Sequence, residues 1–258
     1  MLPNVYFICL ESKFLTRGKP TMDYFETHVD KTLYKNLVRF NAITPNDFDV
    51  EAVASAQQVA IIKGRRGRVE HADMSSKAQV ACALSHVSLW QLCAESNHPI
   101  VVVEDDVHPH DMSIRLQAAF RLKGDVVLLC CAKLVRNDKT KQVSSFVATG
   151  AYYLTPSGAN KLLKHVFPVA MHVDYYMSAC IATYKLEVFG VDNSDDQWNM
   201  PSSKLSTLEH TKTLFDIKVP RLLIVVYTLA TLLGMLFLAF FGAGLFILHK
   251  HRSVHYVR

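Results

Sequence analysis

The residues best placed to do chemistry are three consecutive acids, Glu104, Asp105 and Asp106, which follow directly on the apolar run Ile100, Val101, Val102 and Val103. A run this rich in β-branched residues, with no polar alternation, predicts a strand buried on both faces inside a parallel sheet. The acids then fall at its carboxyl end, where open α/β sheets bind their ligands. Three crowded carboxylates repel one another unless a cation neutralises them. A hard divalent metal carrying phosphates would do so; the alternative is a solvated turn whose carboxylate caps the next helix. In an extended segment Glu104 and Asp106 point to one side and Asp105 to the other. The metal reading therefore rests on Asp106 and Glu104, with Asp105 the structural carboxylate. His108 and His110 could extend the set to a His/Asp metal cluster, but Pro109 between them favours a rigid turn.

Elements that could position these acids alternate along the chain. Residues 4–10 predict a first strand, 11–20 a loop, and 22–39 an amphipathic helix, with apolar residues at Tyr24, Phe25, Val29, Leu33 and Leu37. A short strand at Phe40 enters a Pro-Asn-Asp turn, and residues 52–62 are ambiguous between helix and strand. Residues 75–95 predict a helix capped by serine and buried over most of its surface, with Ser85, His86 and Ser88 as polar exceptions. A helix at 112–121, strands at 125–132 and 145–154, a helix opened by Thr155 and Pro156, a helix beginning near Asp174 and a short strand at 185–190 complete the pattern. This alternation predicts an α/β fold with a mainly parallel sheet flanked by helices.

The chain has 258 residues, half of them hydrophobic, and a net charge of +5. The apolar excess has an address: residues 222–248 contain no charge, well beyond the roughly 20 apolar residues that span a bilayer. That predicts a C-terminal transmembrane helix, preceded by a linker at 201–221 and followed by a basic tail at 249–258 suited to anionic membrane lipid. Removing the tail's three cations from the chain's 28 leaves 25 against 23 anions. So balanced a body argues against nucleic acid as a partner. Six cysteines without a CxxC pattern predict reduced core thiols and a cytosol-facing body on a single-pass anchor. Lys63 to Arg68, KGRRGR, holds four cations and two glycines, either a solvated loop or a phosphate- or membrane-contacting one.

Four blocks in order, KAQVACALSHVSLWQLC, PIVVVEDDV, FVATGAYYLTPSGANKLL and PVAMHVDYYM, resemble glycosyltransferase family 25 across residues 4–199. The family includes lipooligosaccharide and collagen galactosyltransferases. VRFNAI at 38–43 resembles its Arg-Phe-x-Ala-Val segment, which helps hold the nucleotide and points to Asn41 and Ala42. The resemblance implies a GT-A-like, Rossmann-type catalytic domain over residues 1–200. It implies a UDP-sugar donor (galactose or glucose), Mn²⁺ or Mg²⁺ as cofactor, a glycan or protein acceptor, and inverting transfer of a hexose. On this reading Asp106 binds the metal and Glu104 the ribose or a metal-bound water. Ser85 and His86 contact the donor, and Gly150 and Tyr152 lie close to the sugar. Asp174, opening its helix, is the catalytic base or else a cap, with Asp195 and Asp196 in reserve. One departure is the first loop, where Lys13 and Arg17 stand in for the family's arginines. A catalytically inactive sugar- or partner-binding relative, or a metal-dependent phosphohydrolase, would use the same acids.

Overall fold

The computed structural model describes residues 2–107, 111–131, 133–137 and 142–191. The expected linker, membrane span and basic tail lie outside the described residues, as do Asp195, Asp196, His108 and His110. Among the described residues, no helix is long and apolar enough to cross a membrane.

Eight strands and seven α-helices are described: β1 (Asn4–Cys9), α1 (Lys19–His28), β2 (Leu37–Asn41), α2 (Val50–Val53), α3 (Ala56–Ile62), α4 (Lys77–Ser96), β3 (Ile100–Glu104), α5 (Met112–Leu122), β4 (Val126–Cys130), β5 (Lys133–Arg136), β6 (Val143–Val147), β7 (Ala151–Leu154), α6 (Pro156–Leu163), α7 (Val173–Tyr184) and β8 (Val188–Gly190). Six strands form one sheet in the order β2-β1-β3-β7-β4-β8, and β5 and β6 form a separate hairpin. Within the sheet only β7 runs against its neighbours, so β3 and β4 flank an antiparallel strand while the other pairings are parallel. The fold is mixed α/β with a mainly parallel sheet.

Strand β3 is central, and its side chains alternate between two apolar layers. Ile100 and Val102 join the layer formed with Trp90 and Cys93 of α4, Leu162 of α6 and Met177 of α7. Val101 and Val103 join the layer on the other face, with Phe25 of α1 and Leu116 of α5. Both faces are covered, as the uninterrupted valine run predicts.

Three elements differ from the sequence expectation. The helix read across 22–39 stops at His28, because Asp30 accepts from the Thr32 amide to start a new 3-10 turn, and Leu37 already belongs to β2. The strand read across 145–154 is two strands, broken where Ala148 takes a left-handed φ of 67°. The loop read across 11–20 is a 3-10 turn and a π-turn that run into α1. Residues 52–62 resolve as helical, in α2 and α3.

At the amino end of β4, Asp125 ties the carboxyl half of the sheet together. Its carboxylate accepts from Lys161 Nζ at 2.6 Å and the Glu187 amide at 2.9 Å, and its carbonyl accepts from the Thr155 amide at 3.0 Å. Gly158 packs on the same carbonyl: a Cβ there would sit 2.4 Å from the Asp125 oxygen and 2.8 Å from its carbon. Backbone cannot yield as a side chain does, so Gly158→Ala is expected to cost about 1–3 kcal/mol. Urea unfolding measures it, and an unchanged midpoint would show that α6 has room to move.

Candidate functional site

The acids lie at the carboxyl end of β3, Glu104 as its last residue and Asp105 and Asp106 in the turn that follows. The cation that faces them comes from the chain itself. Arg17 Nη2 lies 3.1 Å from Asp105 Oδ1 and 3.2 Å from Asp106 Oδ2. It arrives there on the π-turn after β1, and Gly18 makes the approach possible, since a Cβ at Gly18 would sit 2.6 Å from Cys9 Sγ. Thr21 then pins the turn, its hydroxyl donating to the carbonyls of Arg17 at 3.1 Å and Asp105 at 3.2 Å.

One guanidinium does not balance three carboxylates. Burial, then the charge of Glu104, push the Asp106 carboxyl up to about 6 despite Arg17, and burial raises Asp105 as well. Glu104 goes the other way. Burial would raise it, but the imidazole of His86, the Thr149 hydroxyl and Arg17 together hold it below its usual range. Thr149 Oγ1 donates to Glu104 Oε1 at 2.8 Å, and the Glu104 amide donates to the Gly150 carbonyl at 2.8 Å.

His86 belongs to a buried relay. Trp90 Nε1 donates to Tyr152 Oη at 2.9 Å, and Tyr152 Oη lies 2.9 Å from His86 Nδ1. Indole can only donate, so the phenol accepts from Trp90 and its own hydrogen is free for His86 Nδ1. In that tautomer the imidazole proton sits on Nε2, which faces Glu104 Oε1 at 3.4 Å. The alignment falls short of a hydrogen bond, and Nε2 is buried without a partner. His86 and Tyr152 are fully enclosed, so the structure places them beneath the acids rather than on a ligand-facing surface.

Ser85 is equally enclosed: its hydroxyl accepts from the Ile43 amide at 2.9 Å and donates to the Ala81 carbonyl at 2.9 Å, tying the loop after β2 to α4. Asn41 is exposed at the end of β2, and the Ala42 amide donates to the Cys9 carbonyl at 2.9 Å. Both therefore lie beside the carboxyl end of β1, next to the acid turn. Gly150 is buried where a Cβ would meet Val107 Cγ2 at 2.7 Å and Cys130 Sγ at 3.1 Å, which lets β7 close against the end of β3. Arg39 on β2 stacks over the Phe14 ring at 4.1 Å, with buried Nε and Nη2 that make no hydrogen bond.

Asp174 lies in the first turn of α7, whose cap is His172. Its Oδ2 accepts from the Ala148 amide at 2.9 Å and its Oδ1 from the Tyr175 amide at 2.9 Å. The first bond fixes the left-handed residue just before Thr149, so Asp174 and Glu104 grip one short segment from two sides. The half-buried thiol of Cys82, in the second turn of α4, is pushed well up by burial and then by Glu104, Asp106, Asp174 and Asp105. Arg17 is one of the two cations that stand in the first loop for the family's arginines, and the fold sets it, not Lys13, against the acids. Thr149 is the member for which the sequence carries no signal.

Whether these residues suit a divalent cation can be judged from their charge and number. Glu104 and Asp106 are 26% and 27% exposed, against 14% for Asp105, and the turn keeps excess negative charge. Among the described residues, no group of three His, Cys, Asp or Glu side chains is gathered to hold a metal. The set suits a hard cation that takes its other oxygens from phosphates and water, and does not suit an all-protein cage.

Residues 23–126 match the family model described as glycosyltransferase family 25 (LPS biosynthesis protein). That span includes His86 and all three acids but not Arg17, Gly150 or Asp174. No curated protein matches the sequence. Among solved structures, the chain is similar to mouse xyloside xylosyltransferase 1 in its apo form, with 9% identity and a TM-score of 0.35, covering 73% of this chain and 71% of that one. It is also similar to a Desulfovibrio desulfuricans G20 protein provisionally described as a nucleotide-diphospho-sugar transferase, with 10% identity and a TM-score of 0.32, covering 74% and 80%.

Proposed function

We propose, from the match of residues 23–126 to the glycosyltransferase family 25 model, that the chain transfers a hexose from a UDP-sugar to a hydroxyl of a glycan or protein acceptor, with inversion, on a GT-A-type fold. The observation that carries the proposal is the under-neutralised acid turn at the end of β3, where Arg17 pairs with Asp105 and Asp106 and the His86 imidazole faces Glu104. In the reaction the bond from the anomeric carbon to the diphosphate oxygen breaks and UDP departs. The acceptor oxygen bonds to the same carbon from the opposite face, and its proton passes to a base.

A divalent cation held by Asp106, with Glu104 beside it, would supply Lewis-acid neutralisation of the departing diphosphate. Arg17 offers a second positive charge to the same phosphates once it exchanges a carboxylate for them. Glu104, kept ionised and oriented by Thr149, is placed to hold ribose or a metal-bound water. Asp174 is the base in this reading. Each of its oxygens accepts one amide and retains a lone pair for the acceptor proton. In this reading Asn41 and Ala42, beside the end of β1, contact the nucleotide, and Arg39, paired with Glu11 at 3.5 Å, adds a positive charge to the same edge.

We also read the uncharged run at 222–248 as a single-pass anchor with the body on the cytosolic side, which protease protection of the body in sealed membranes would check. The central test is turnover of UDP-galactose and UDP-glucose with Mn²⁺, comparing wild type with Asp106→Ala. Removal of a metal-binding carboxylate is expected to lower turnover at least about 100-fold, roughly 2.7 kcal/mol of transition-state stabilisation. Equal activity in the two proteins would overturn the proposal.

A further inference from the structure

The basic loop between α3 and α4 is a built feature of the rim rather than a solvated connector. Asp73, 4% exposed, devotes its carboxylate to it. Oδ2 accepts from the amides of Val69 at 2.9 Å and Glu70 at 3.1 Å, and Oδ1 from Gln57 Nε2 at 3.2 Å and Gln58 Nε2 at 3.0 Å. The Gln58 carbonyl oxygen in turn accepts from the Met74 amide at 2.7 Å. At the other end of the loop the amides of Arg65 and Arg66 both donate to the Ala60 carbonyl, at 2.8 and 3.2 Å. Lys63 is paired with Glu51, and Arg68 Nη2 donates to the His71 carbonyl at 2.9 Å. The exposed side chains of Arg65 and Arg66 are thus held out on a loop fixed at both ends, and of its two acids Asp73 is buried in the loop's own hydrogen bonds and Glu70 is exposed.

The loop also has a fixed address. The His172 amide donates to the Ala72 carbonyl at 3.0 Å, which docks the loop on the cap of α7, two residues from Asp174. The loop therefore shares the Asp174 side of the site, while the cation paired with the acid turn, Arg17, comes from the loop after β1. From this arrangement we infer that the loop at 63–68 is the acceptor-side recognition arm, and that the acceptor is a saccharide carrying a phosphate or carboxylate that Arg65 and Arg66 engage. The inference rests on the hexosyl-transfer reading and names the substrate class for it.

The test uses the full chain with UDP and Mn²⁺ present to fill the donor side. The probes are mannose 6-phosphate, digalacturonic acid and neutral lactose, titrated by calorimetry into wild type and R65S/R66S. Binding of at least one anionic probe at least about tenfold tighter than lactose is expected, as is loss of that preference in the double variant and on raising salt from about 50 mM to 0.5 M. The phosphate and uronate probes separate the two anion chemistries. Lactose binding as well as both anionic sugars, or an unchanged preference in R65S/R66S, overturns the inference. Arginine-dependent binding to phosphatidylglycerol vesicles with no affinity for either anionic sugar also overturns it, in favour of a membrane surface. Affinity for UDP, measured in the same samples, is a separate readout: its absence counts against the donor reading, while the anion titration still reports on the loop.

Discussion

Arg17→Ala will destabilise the protein at pH 8 by about 2–3 kcal/mol and by much less at pH 5. Removing one partner of a buried pair costs roughly 3–5 kcal/mol, and the side-chain exposures of 13–27% at this turn reduce that figure. The pH dependence follows from the carboxylates. Asp106 already sits at about 6 in the folded protein, against an ordinary 3.8, so between those values the native state binds more protons than the unfolded chain. Its contribution to stability is greatest below about 4 and is lost as pH rises through 6. Arg17 lowers both Asp105 and Asp106. Without it both rise further, and the penalty is felt wherever they remain ionised. Urea unfolding at the two pH values measures this; an equal loss at both would assign Arg17 a packing role instead.

The same electrostatics predict that Asp106→Asn rescues Arg17→Ala, recovering more than half of the lost stability at pH 8. Neutralising one carboxylate removes the repulsion that Arg17 otherwise contains, and the two positions are close enough to couple. By itself Asp106→Asn is expected to gain stability above pH 6 while losing turnover. A site that is less stable ionised than neutral, yet retains three acids, supports the cation invoked in the proposed function.

How much of this is legible in the sequence depends on the range of the interaction that decides it. The buried strand at Ile100–Val103 and the helix from Lys77 to Ser96 follow from local composition, because each must cover apolar surface on its own. The acids follow too, since they end that strand. The break at Ala148 does not, because SFVATGAYYL is good strand sequence throughout. The chain turns there only because Asp174, 26 residues later, accepts the Ala148 amide. Helix α1 ends early for a similar reason: the periodicity continues through Leu33 and Leu37, but the Asp30 cap and the pairing of β2 with β1 override it. Arg17 is a basic residue in a short loop until the fold brings β1 and β3 side by side, which sets its π-turn against the acids. The resemblance picked out Ser85, His86, Gly150 and Tyr152 near the donor; all four are buried, His86, Gly150 and Tyr152 against the acid turn and Ser85 between α4 and the loop after β2.

Tyr152→Phe isolates the most consequential part of that layer. The lost hydroxyl accepts from Trp90 and is hydrogen-bonded to His86 Nδ1, so its removal strands two buried polar groups. Each costs about 1–3 kcal/mol, and a total loss of about 2–4 kcal/mol is expected in urea unfolding. Stability alone would not separate this from any core defect, but the imidazole reports its own state. In wild type the ¹⁵N spectrum of His86 should show the proton on Nε2 and a bare Nδ1. In Tyr152→Phe the ring loses the donor that enforces this choice, and a population with the proton on Nδ1 should appear. A wild-type spectrum with the proton on Nδ1 would sink the relay. A histidine in an apolar helix reads either as a core residue or as a ligand contact, and the geometry joins the two. His86 is core by position, fully enclosed within α4, yet its Nε2 faces Glu104 Oε1 from 3.4 Å away. With its proton on Nε2 the ring turns a donor toward Glu104, and the imidazole, the Thr149 hydroxyl and Arg17 together hold that carboxylate below its usual range while its neighbour Asp106 is raised to about 6.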